Sequence, residues 1–286
     1  MNTALAYVKI ALKSRRSGPA SFESFSEEVT VSPRESWLAD YMRVTGLRAE
    51  TGMLPITLLQ VLAGSLHLKM LADARVPRSA LGLVHLKNVF EQLGELPAGA
   101  QWQLRCTLAP VHSSDGKLTG VQLITQAHTS GELRWRSTLD AVWPLPKKRI
   151  AKDAHHAGRS AGQAEQSAEG SLHTLFVPGD TGRRYAWVSG DYNPIHMHAA
   201  TARLFGFPKP IAHGMWTVAR VLSAFETSKA RRVEARFKRP LMLPGSVGLR
   251  ASGEGNASLW CGSPDGAKTY LEIIISADVD SGAAVG

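Results

Sequence analysis

The stretch Tyr185-Ala-Trp-Val-Ser-Gly-Asp-Tyr-Asn-Pro-Ile-His-Met-His198 places an acid, an amide and an imidazole within six residues. Pro194 stands among these polar residues and favours a fixed turn there. A few residues later, Ala212-His-Gly-Met-Trp216 opens an apolar pattern with helical spacing. The two pieces are interpreted as an acid/base loop followed by the N-terminus of a helix, and the rest of the chain is expected to hold them together.

The first half of the chain repeats the second half at a shift of about 144 residues. Tyr41-Met-Arg-Val-Thr-Gly46 matches Tyr185-Ala-Trp-Val-Ser-Gly190, and Val29-Thr-Val-Ser-Pro33 matches Leu175-Phe-Val-Pro178. Gly52-Met53 is matched to Gly214-Met215, each ahead of a helix. Each half therefore contains short elements, then one helix, then a sheet.

The predicted helices and strands give each half the same architecture. A helix over 56–73 is apolar on most faces and should be buried. A helix is also expected over 36–44, and the helix that starts near Gly214 carries one apolar stripe of Met215, Val218, Leu222 and Phe225. Strands are expected at 5–12, 27–31, 81–90, 101–112, 118–128 and 132–143, and again at 246–253, 257–262 and 268–277. An apolar helix must be covered, so we expect it to be wrapped by a curved antiparallel sheet.

The two copies differ in the polar loop. At the shift of 144 residues, Asp191 aligns with Leu47, Asn193 with Ala49 and His196 with Gly52, and the first copy lacks most of the segment 197–213. A loop that is polar for structural reasons alone would be expected to be polar in both copies. The pattern therefore predicts one catalytic half and one degenerate half.

The composition is that of a globular protein with a substantial core. The 286 residues are 44% hydrophobic and 20% charged, with a formal net charge of +9 and two cysteines. So few cysteines exclude a disulfide scaffold and indicate a reducing, cytoplasmic setting. Charges that follow the apolar N-terminal segment argue against a signal peptide, and no apolar run is long enough to span a membrane. The basic charge is spread out without a nucleic-acid motif, so it indicates a solvated surface or an anionic partner.

Residues 146–172 contain almost no large apolar side chains and indicate a linker. The predicted organisation is thus a degenerate repeat over 1–146, a polar linker over 147–172 and a catalytic repeat over 173–286.

The segment Gly190-Asp-Tyr-Asn-Pro-Ile-His196, preceded by Tyr185 and followed by Ala199-Ala200, resembles the hydratase 2 motif of the MaoC-like (R)-specific enoyl-CoA hydratases. Ile211-Ala-His-Gly-Met215 resembles the glycine turn that opens the central helix in that family. The resemblance implies an α+β double hot-dog fold with one catalytic site per chain. The implied reaction is the reversible hydration of a trans-2-enoyl-CoA to the (R)-3-hydroxyacyl-CoA, a hydro-lyase activity of fatty acid metabolism.

The resemblance also implies roles for individual residues. Asp191 and His196 would share the acid/base work on a bound water, and an acid and an imidazole five residues apart can both face one water. Gly214 would offer the thioester oxygen the unpaired N–H groups of a helix N-terminus. The remaining expected substrate-binding residues are Asn193, His213 and Phe207, and Lys238 and Arg239 would contact the phosphates of coenzyme A. Coenzyme A is then a substrate carrier, and no cofactor or metal is expected.

Several alternatives stay open at the level of sequence. One is a dehydratase acting on acyl-carrier-protein thioesters or on a branched or dicarboxylic acyl-CoA. A second is a non-catalytic thioester-binding or assembly subunit, and a third is a thioesterase. A zinc site formed by Asp191, His196 and His198 is a weaker hypothesis, because nothing else supplies the usual ligand spacing. The two halves should pack as an internal pseudo-dimer, and a further homodimer of whole chains is left open.

Overall fold

The computed structural model describes residues 21–80, 82–143, 173–225, 227, 230–253 and 257–279. The first half contains β1 (Phe25–Val31), α1 (Glu35–Thr45), α2 (Leu58–Leu62), α3 (Gly64–Leu71), β2 (Val84–Gln92), β3 (Trp102–His112), β4 (Leu118–Thr129) and β5 (Glu132–Val142). The second half contains β6 (His173–Val177), α4 (Thr181–Ser189), a 3-10 turn (Pro194–His196), α5 (Ala199–Leu204), α6 (Gly214–Leu222), β7 (Arg232–Phe237), β8 (Gly245–Ser252), β9 (Ser258–Gly262) and β10 (Thr269–Ser276).

All ten strands form one antiparallel sheet in the order β1-β3-β4-β5-β2-β7-β10-β9-β8-β6. Each half contributes five neighbouring strands, and the order within the second half repeats that of the first. The two sets meet where β2 pairs with β7, with Asn88 opposite Ala235 and Phe90 opposite Val233. The halves thus share a continuous hydrogen-bonded sheet, as an internal pseudo-dimer requires.

Alternating side chains of the strands cover the central helices. In β3, Trp102, Leu104, Cys106 and Leu108 are fully buried while the residues between them are more exposed. Leu58 and Leu59 at the start of α2 are also fully buried, as expected for a helix without a solvent face. The expected wrapping of an apolar helix by an antiparallel sheet is therefore present in each half.

The predicted helix over 56–73 is two shorter helices. The backbone tightens at Ala63, where ψ is −11°, and α3 begins at Gly64 directly after it. A glycine has a low intrinsic preference for the helix, which weakens the helix at this point. The helical axis nevertheless continues, since the Ala63 N–H donates to Leu59 O and the His67 N–H donates to Ala63 O.

The two repeats match each other well in structure at the C-terminal ends of α1 and α4. Gly46 and Gly190 end these helices with φ of 77° and 72°, and their N–H groups donate to Met42 O and Ala186 O. Glycine is favoured in this left-handed conformation because it has no Cβ. The predicted match of Gly52 with Gly214 is wrong, because Gly214 is the first residue of α6 whereas Gly52 lies six residues before α2.

The predicted strands begin and end within a few residues of the observed ones, and β2 starts at Val84 rather than 81. The expected strand over 5–12 and the predicted linker over 147–172 lie outside the described residues. Among the described residues, no helix combines the length and apolarity that a membrane crossing needs.

The stability of the protein should depend on pH through His67, a buried residue of α3 whose Nε2 lies 2.8 Å from Thr125 Oγ1. Burial first, and the neighbouring His85 second, lower the pKa of His67 to about 4. At pH values between about 4 and the ordinary histidine pKa of 6.5, the unfolded chain therefore binds more protons than the folded chain. Stability therefore falls as the pH drops from 7 to 5, and His67 alone should account for about 2 kcal/mol of the loss.

Urea unfolding at both pH values checks this expectation. His67→Gln keeps a polar group opposite Thr125 but does not titrate, so its loss of stability between pH 7 and pH 5 should be smaller than that of the natural chain. An equal loss in both proteins would contradict the assignment.

Candidate functional site

The polar loop starts where Gly190 turns the chain out of α4. The Asp191 N–H donates to Ser189 Oγ at 3.2 Å, and the Asn193 N–H donates to Asp191 Oδ1 at 3.2 Å. The Asn193 side chain then accepts from the Ile195 N–H at 3.4 Å at the start of the 3-10 turn. The contacts of Asn193 thus hold the backbone of the loop, and its expected contact with the substrate stays a prediction.

His196 ends the 3-10 turn and is buried. Its Nδ1 lies 2.8 Å from the carbonyl oxygen of Ile211. Because a carbonyl oxygen can only accept, Nδ1 carries the hydrogen and donates it. The Nε2 atom of neutral His196 is then the unprotonated nitrogen, which is the form that a general base needs.

His213, the residue before α6, is also buried. Its Nε2 lies 2.9 Å from the carbonyl oxygen of Asp191 and 3.9 Å from Asp191 Oδ2. The His213 ring stacks on the His196 ring with centroids 3.7 Å apart and planes 29° apart. The fold thus brings together the two predicted acid/base residues and one predicted substrate-binding residue.

The electrostatics of the site keep both imidazoles neutral. Burial lowers the pKa of His196, a charge on His213 would lower it further, and Asp191 opposes the shift. Burial likewise lowers the pKa of His213 against the opposing effect of Asp191. The Asp191 side chain is 42% exposed, so the carboxylate is accessible to solvent whereas the two imidazoles are buried.

The same three residues are a candidate metal cluster, since one ligand atom from each of Asp191, His196 and His213 lies within 4.8 Å of the others. The exposed His198 of the earlier zinc hypothesis is not part of it. A zinc ion requires ligand lone pairs that converge on one point. His196 Nδ1 and His213 Nε2 each donate a hydrogen to a backbone carbonyl, so neither of these nitrogens offers a lone pair to a metal. This geometry fits acid/base work on a water better than it fits a metal.

Gly214 is the first residue of α6, where backbone N–H groups lack partners within the helix. A Cβ at Gly214 would lie 2.8 Å from Cε1 of Phe237. The need for glycine thus has a cause that the sequence did not reveal: Phe237 packs directly against the first turn of α6.

Lys238 and Arg239 follow Phe237 and are exposed, and Lys238 Nζ pairs with Glu272 at 2.9 Å. Phe207 lies three residues after α5 and is half-buried, and its expected contact with the substrate stays a prediction.

A cavity of about 580 Å³, called the first-repeat cavity below, is lined mostly by residues of the first repeat and partly by residues 222–231. It lies at the place in the first repeat that corresponds to the polar loop of the second. Only eleven residues, 47–57, separate Gly46 from α2, whereas twenty-three residues, 191–213, separate Gly190 from α6. The lining of the cavity includes Leu47 and Ala49, which are the counterparts of Asp191 and Asn193. Leu222 and Phe225 at the end of α6 close its other side.

Two residues that position the site have no signal of their own in the sequence. Ile211 contributes only its carbonyl oxygen, which fixes the tautomer of His196. Gly182, in the first turn of α4, lies so close to the 3-10 turn that a Cβ would stand 2.1 Å from the carbonyl oxygen of His196. Only a glycine allows α4 and this turn to pack at that distance.

Gly182→Ala should therefore displace His196 and lower the rate of the predicted hydration by about tenfold or more, since misplacement of a reacting group by an ångström is costly. Steady-state kinetics and the melting temperature of the variant are the measurements. Gly64→Ala in α3 is the matched control, because its Cβ would meet nothing within 4 Å. Full activity of a folded Gly182→Ala protein would contradict the positioning role.

Comparison with known proteins agrees with the motif and the fold. Residues 163–272 match the family model described as MaoC like domain. The chain is 29% identical over 236 residues to 3-hydroxyacyl-thioester dehydratase X of Mycobacterium tuberculosis, covering 82% of this chain and 81% of that protein.

Solved structures have the same architecture. The crystal structure of HtdX of M. tuberculosis superposes with a TM-score of 0.70 and 26% identity, over 87% of this chain and 99% of that one. A conserved hypothetical protein of M. tuberculosis with a double hot-dog fold superposes with a TM-score of 0.54 and 12% identity, over 91% of this chain and 98% of that one. The predicted resemblance and fold class are confirmed, since residues 163–272 match the MaoC like domain and the chain has a double hot-dog fold.

Proposed function

We propose that this protein is a hydro-lyase that reversibly adds water to a trans-2-enoyl-CoA thioester, giving the (R)-3-hydroxyacyl-CoA. The observation that carries the proposal is the grouping of Asp191 Oδ, His196 and His213 within 4.8 Å beside the N-terminus of α6. A carboxylate, an imidazole with an unprotonated Nε2 and unpaired N–H groups are the parts that this addition requires. The name of the mycobacterial dehydratase relative supports the same reaction class, read in the reverse direction.

The chemistry follows from the protonation states. A water that donates its two hydrogens to the Asp191 carboxylate and to His196 Nε2 is held with its oxygen toward the substrate. That oxygen forms a bond to C3 as the C2–C3 π bond breaks, and one proton passes from the water to the Asp191/His196 pair. A proton from the same pair completes the product at C2, so the net change is the addition of one water.

The negative charge that develops on the thioester oxygen needs a partner. The N–H groups at the start of α6 supply one, strengthened by the positive end of the helix dipole. In other acyl-transfer sites, the loss of one such donor costs about 2.7–4 kcal/mol of transition-state stabilisation. Phe237, which packs on Gly214, is followed by the exposed Lys238 and Arg239, and we expect these two side chains to meet the phosphates that the pantetheine arm holds away from the thioester.

The first-repeat cavity offers space for the far end of the acyl chain. Leu222 ends the helix that Gly214 begins, Phe225 lies three residues beyond it, and α6 spans about 12 Å at 1.5 Å per residue. An acyl chain that starts at Gly214 and follows α6 therefore reaches the cavity lined by these residues. This accounts for the loss of the polar loop from the first repeat.

Asp191→Asn and His196→Ala should each lower kcat by about 10²–10⁴-fold, because each removes a partner of the reacting proton. The assay follows the loss of the enoyl chromophore of a short trans-2-enoyl-CoA and then the stereochemistry of the alcohol. His198→Ala is the matched control, since this exposed neighbour touches neither imidazole. Unchanged turnover in Asp191→Asn would refute the assignment.

The same assay separates the alternatives. Activity only with carrier-protein thioesters, or only with branched or dicarboxylic acyl-CoA, would select one of the specialised dehydratases. Binding of acyl-CoA with no conversion of any of these substrates would select the non-catalytic thioester-binding subunit.

Filling the first-repeat cavity should change chain-length preference. Ala49→Trp places a large ring among the lining residues and should lower kcat/KM for long enoyl-CoA by about tenfold or more, since each buried methylene contributes about 0.8 kcal/mol. Short enoyl-CoA serves as the internal control and should react as in the natural protein. A uniform loss over all chain lengths would contradict the assigned path.

A further inference from the structure

Four buried polar atoms lie near the boundary of the two repeats, behind the candidate site. Tyr41 Oη, Thr57 Oγ1, Tyr185 Oη and His213 Nδ1 each lack a hydrogen-bond partner among the described residues. All four side chains are more than nine-tenths buried. Buried polar atoms normally have a partner, and leaving one without costs about 1–3 kcal/mol, so a group of four needs an explanation.

The four atoms belong to neighbouring side chains. The Tyr41 and Tyr185 rings have centroids 6.3 Å apart, and the Tyr185 and His213 rings have centroids 4.9 Å apart. Burial raises the pKa of Tyr41 to about 12, and contacts with the hydroxyls of Thr57 and Tyr185 act to lower it, so the three hydroxyls are close to one another. The row of rings continues from His213 to His196.

The four residues also stand at positions that match between the two repeats. Tyr41 and Tyr185 occupy matching positions in α1 and α4. Thr57 and His213 are the residues before α2 and α6. The first repeat thus keeps two hydroxyls at the places where the second repeat has a tyrosine and the histidine of the site.

The hydrogen-bonding capacities of the four atoms are complementary. His213 Nε2 donates to the Asp191 carbonyl, so Nδ1 of the neutral ring is an acceptor in need of a donor. Each hydroxyl can donate once and also accept. Burial raises the pKa of Tyr185 well above its ordinary value, so this hydroxyl keeps its proton. All three hydroxyls can therefore point their hydrogens in one direction, toward His213.

We propose that Thr57, Tyr41 and Tyr185 form a hydrogen-bond relay that ends on His213 Nδ1, bridged by enclosed water where two groups do not meet directly, and that holds His213 as the Nε2-protonated tautomer. Tyr185 and Tyr41 are then positioning residues for the proposed hydration. The relay acts through His213, which holds the Asp191 backbone and packs on His196. Its far end, Thr57, lines the first-repeat cavity, so the degenerate repeat would contribute to the geometry of the site.

The inference rests on the proposed function for its effect on turnover but not for the state of His213. The test is ¹⁵N NMR of histidine-labelled protein, with His213 assigned by a His213→Gln variant. The natural protein should show His213 protonated at Nε2 and unprotonated at Nδ1. In Tyr185→Phe and Tyr41→Phe, which keep the rings, the two nitrogen shifts should move toward each other as the other tautomer becomes populated.

Kinetics provide the second readout. Both variants should lower kcat by about tenfold, with little change in KM, because a positioning residue acts on the reaction rather than on binding. Tyr270→Phe, a partly buried tyrosine outside the cluster, is the matched control and should leave the His213 shifts and kcat unchanged.

The outcomes distinguish the two proposals. His213 shifts that are the same in Tyr185→Phe and in the natural protein, or a natural protein with His213 protonated at Nδ1, would overturn the relay whatever the kinetics show. A tautomer shift in a protein that hydrates no thioester would support the relay and overturn the proposed function.

Discussion

The pairing of β2 with β7 is the interaction on which the rest of the structure depends. Without it, each half would be a five-stranded sheet with an exposed inner edge, which is a site of uncontrolled pairing. With it, Asn88 lies opposite Ala235 and one sheet wraps the helices of both halves. This pairing also brings Tyr41 of the first half against Tyr185 of the second, so one continuous core connects the two repeats.

The site arises where the symmetry of that arrangement is broken. Both repeats turn the chain out of a helix with a left-handed glycine, at Gly46 and Gly190. In the second repeat, the longer connection contains Asp191, the 3-10 turn and His196. In the first repeat, the shorter connection leads to α2 and leaves a cavity. One repeat therefore supplies the chemical groups, and the other supplies space and, in the relay that we propose, support for His213.

The sequence predicts much of this because the decisive features are local. The repeat of Tyr41 and Tyr185 at a constant shift, the glycines after them and the alternation in the strands each leave a readable pattern, and the double hot-dog fold followed from them together with the motif. Packing across the structure leaves no such pattern. The contact of Gly182 with the His196 carbonyl and that of Gly214 with Phe237 each join two different elements of the chain. The break at Ala63 and the misaligned Gly52 show the same limit, since equivalent positions are set by contacts rather than by spacing.

The covalent connection of the two repeats has a consequence for how such a protein can change. In a dimer of identical chains, a substitution alters both copies of a site at once, so a change that enlarges one pocket also damages the catalytic loop of the other copy. In this chain, Leu47 and Ala49 occupy the places of Asp191 and Asn193 without altering them. A single sheet made from one polypeptide thus lets its two halves change independently of each other.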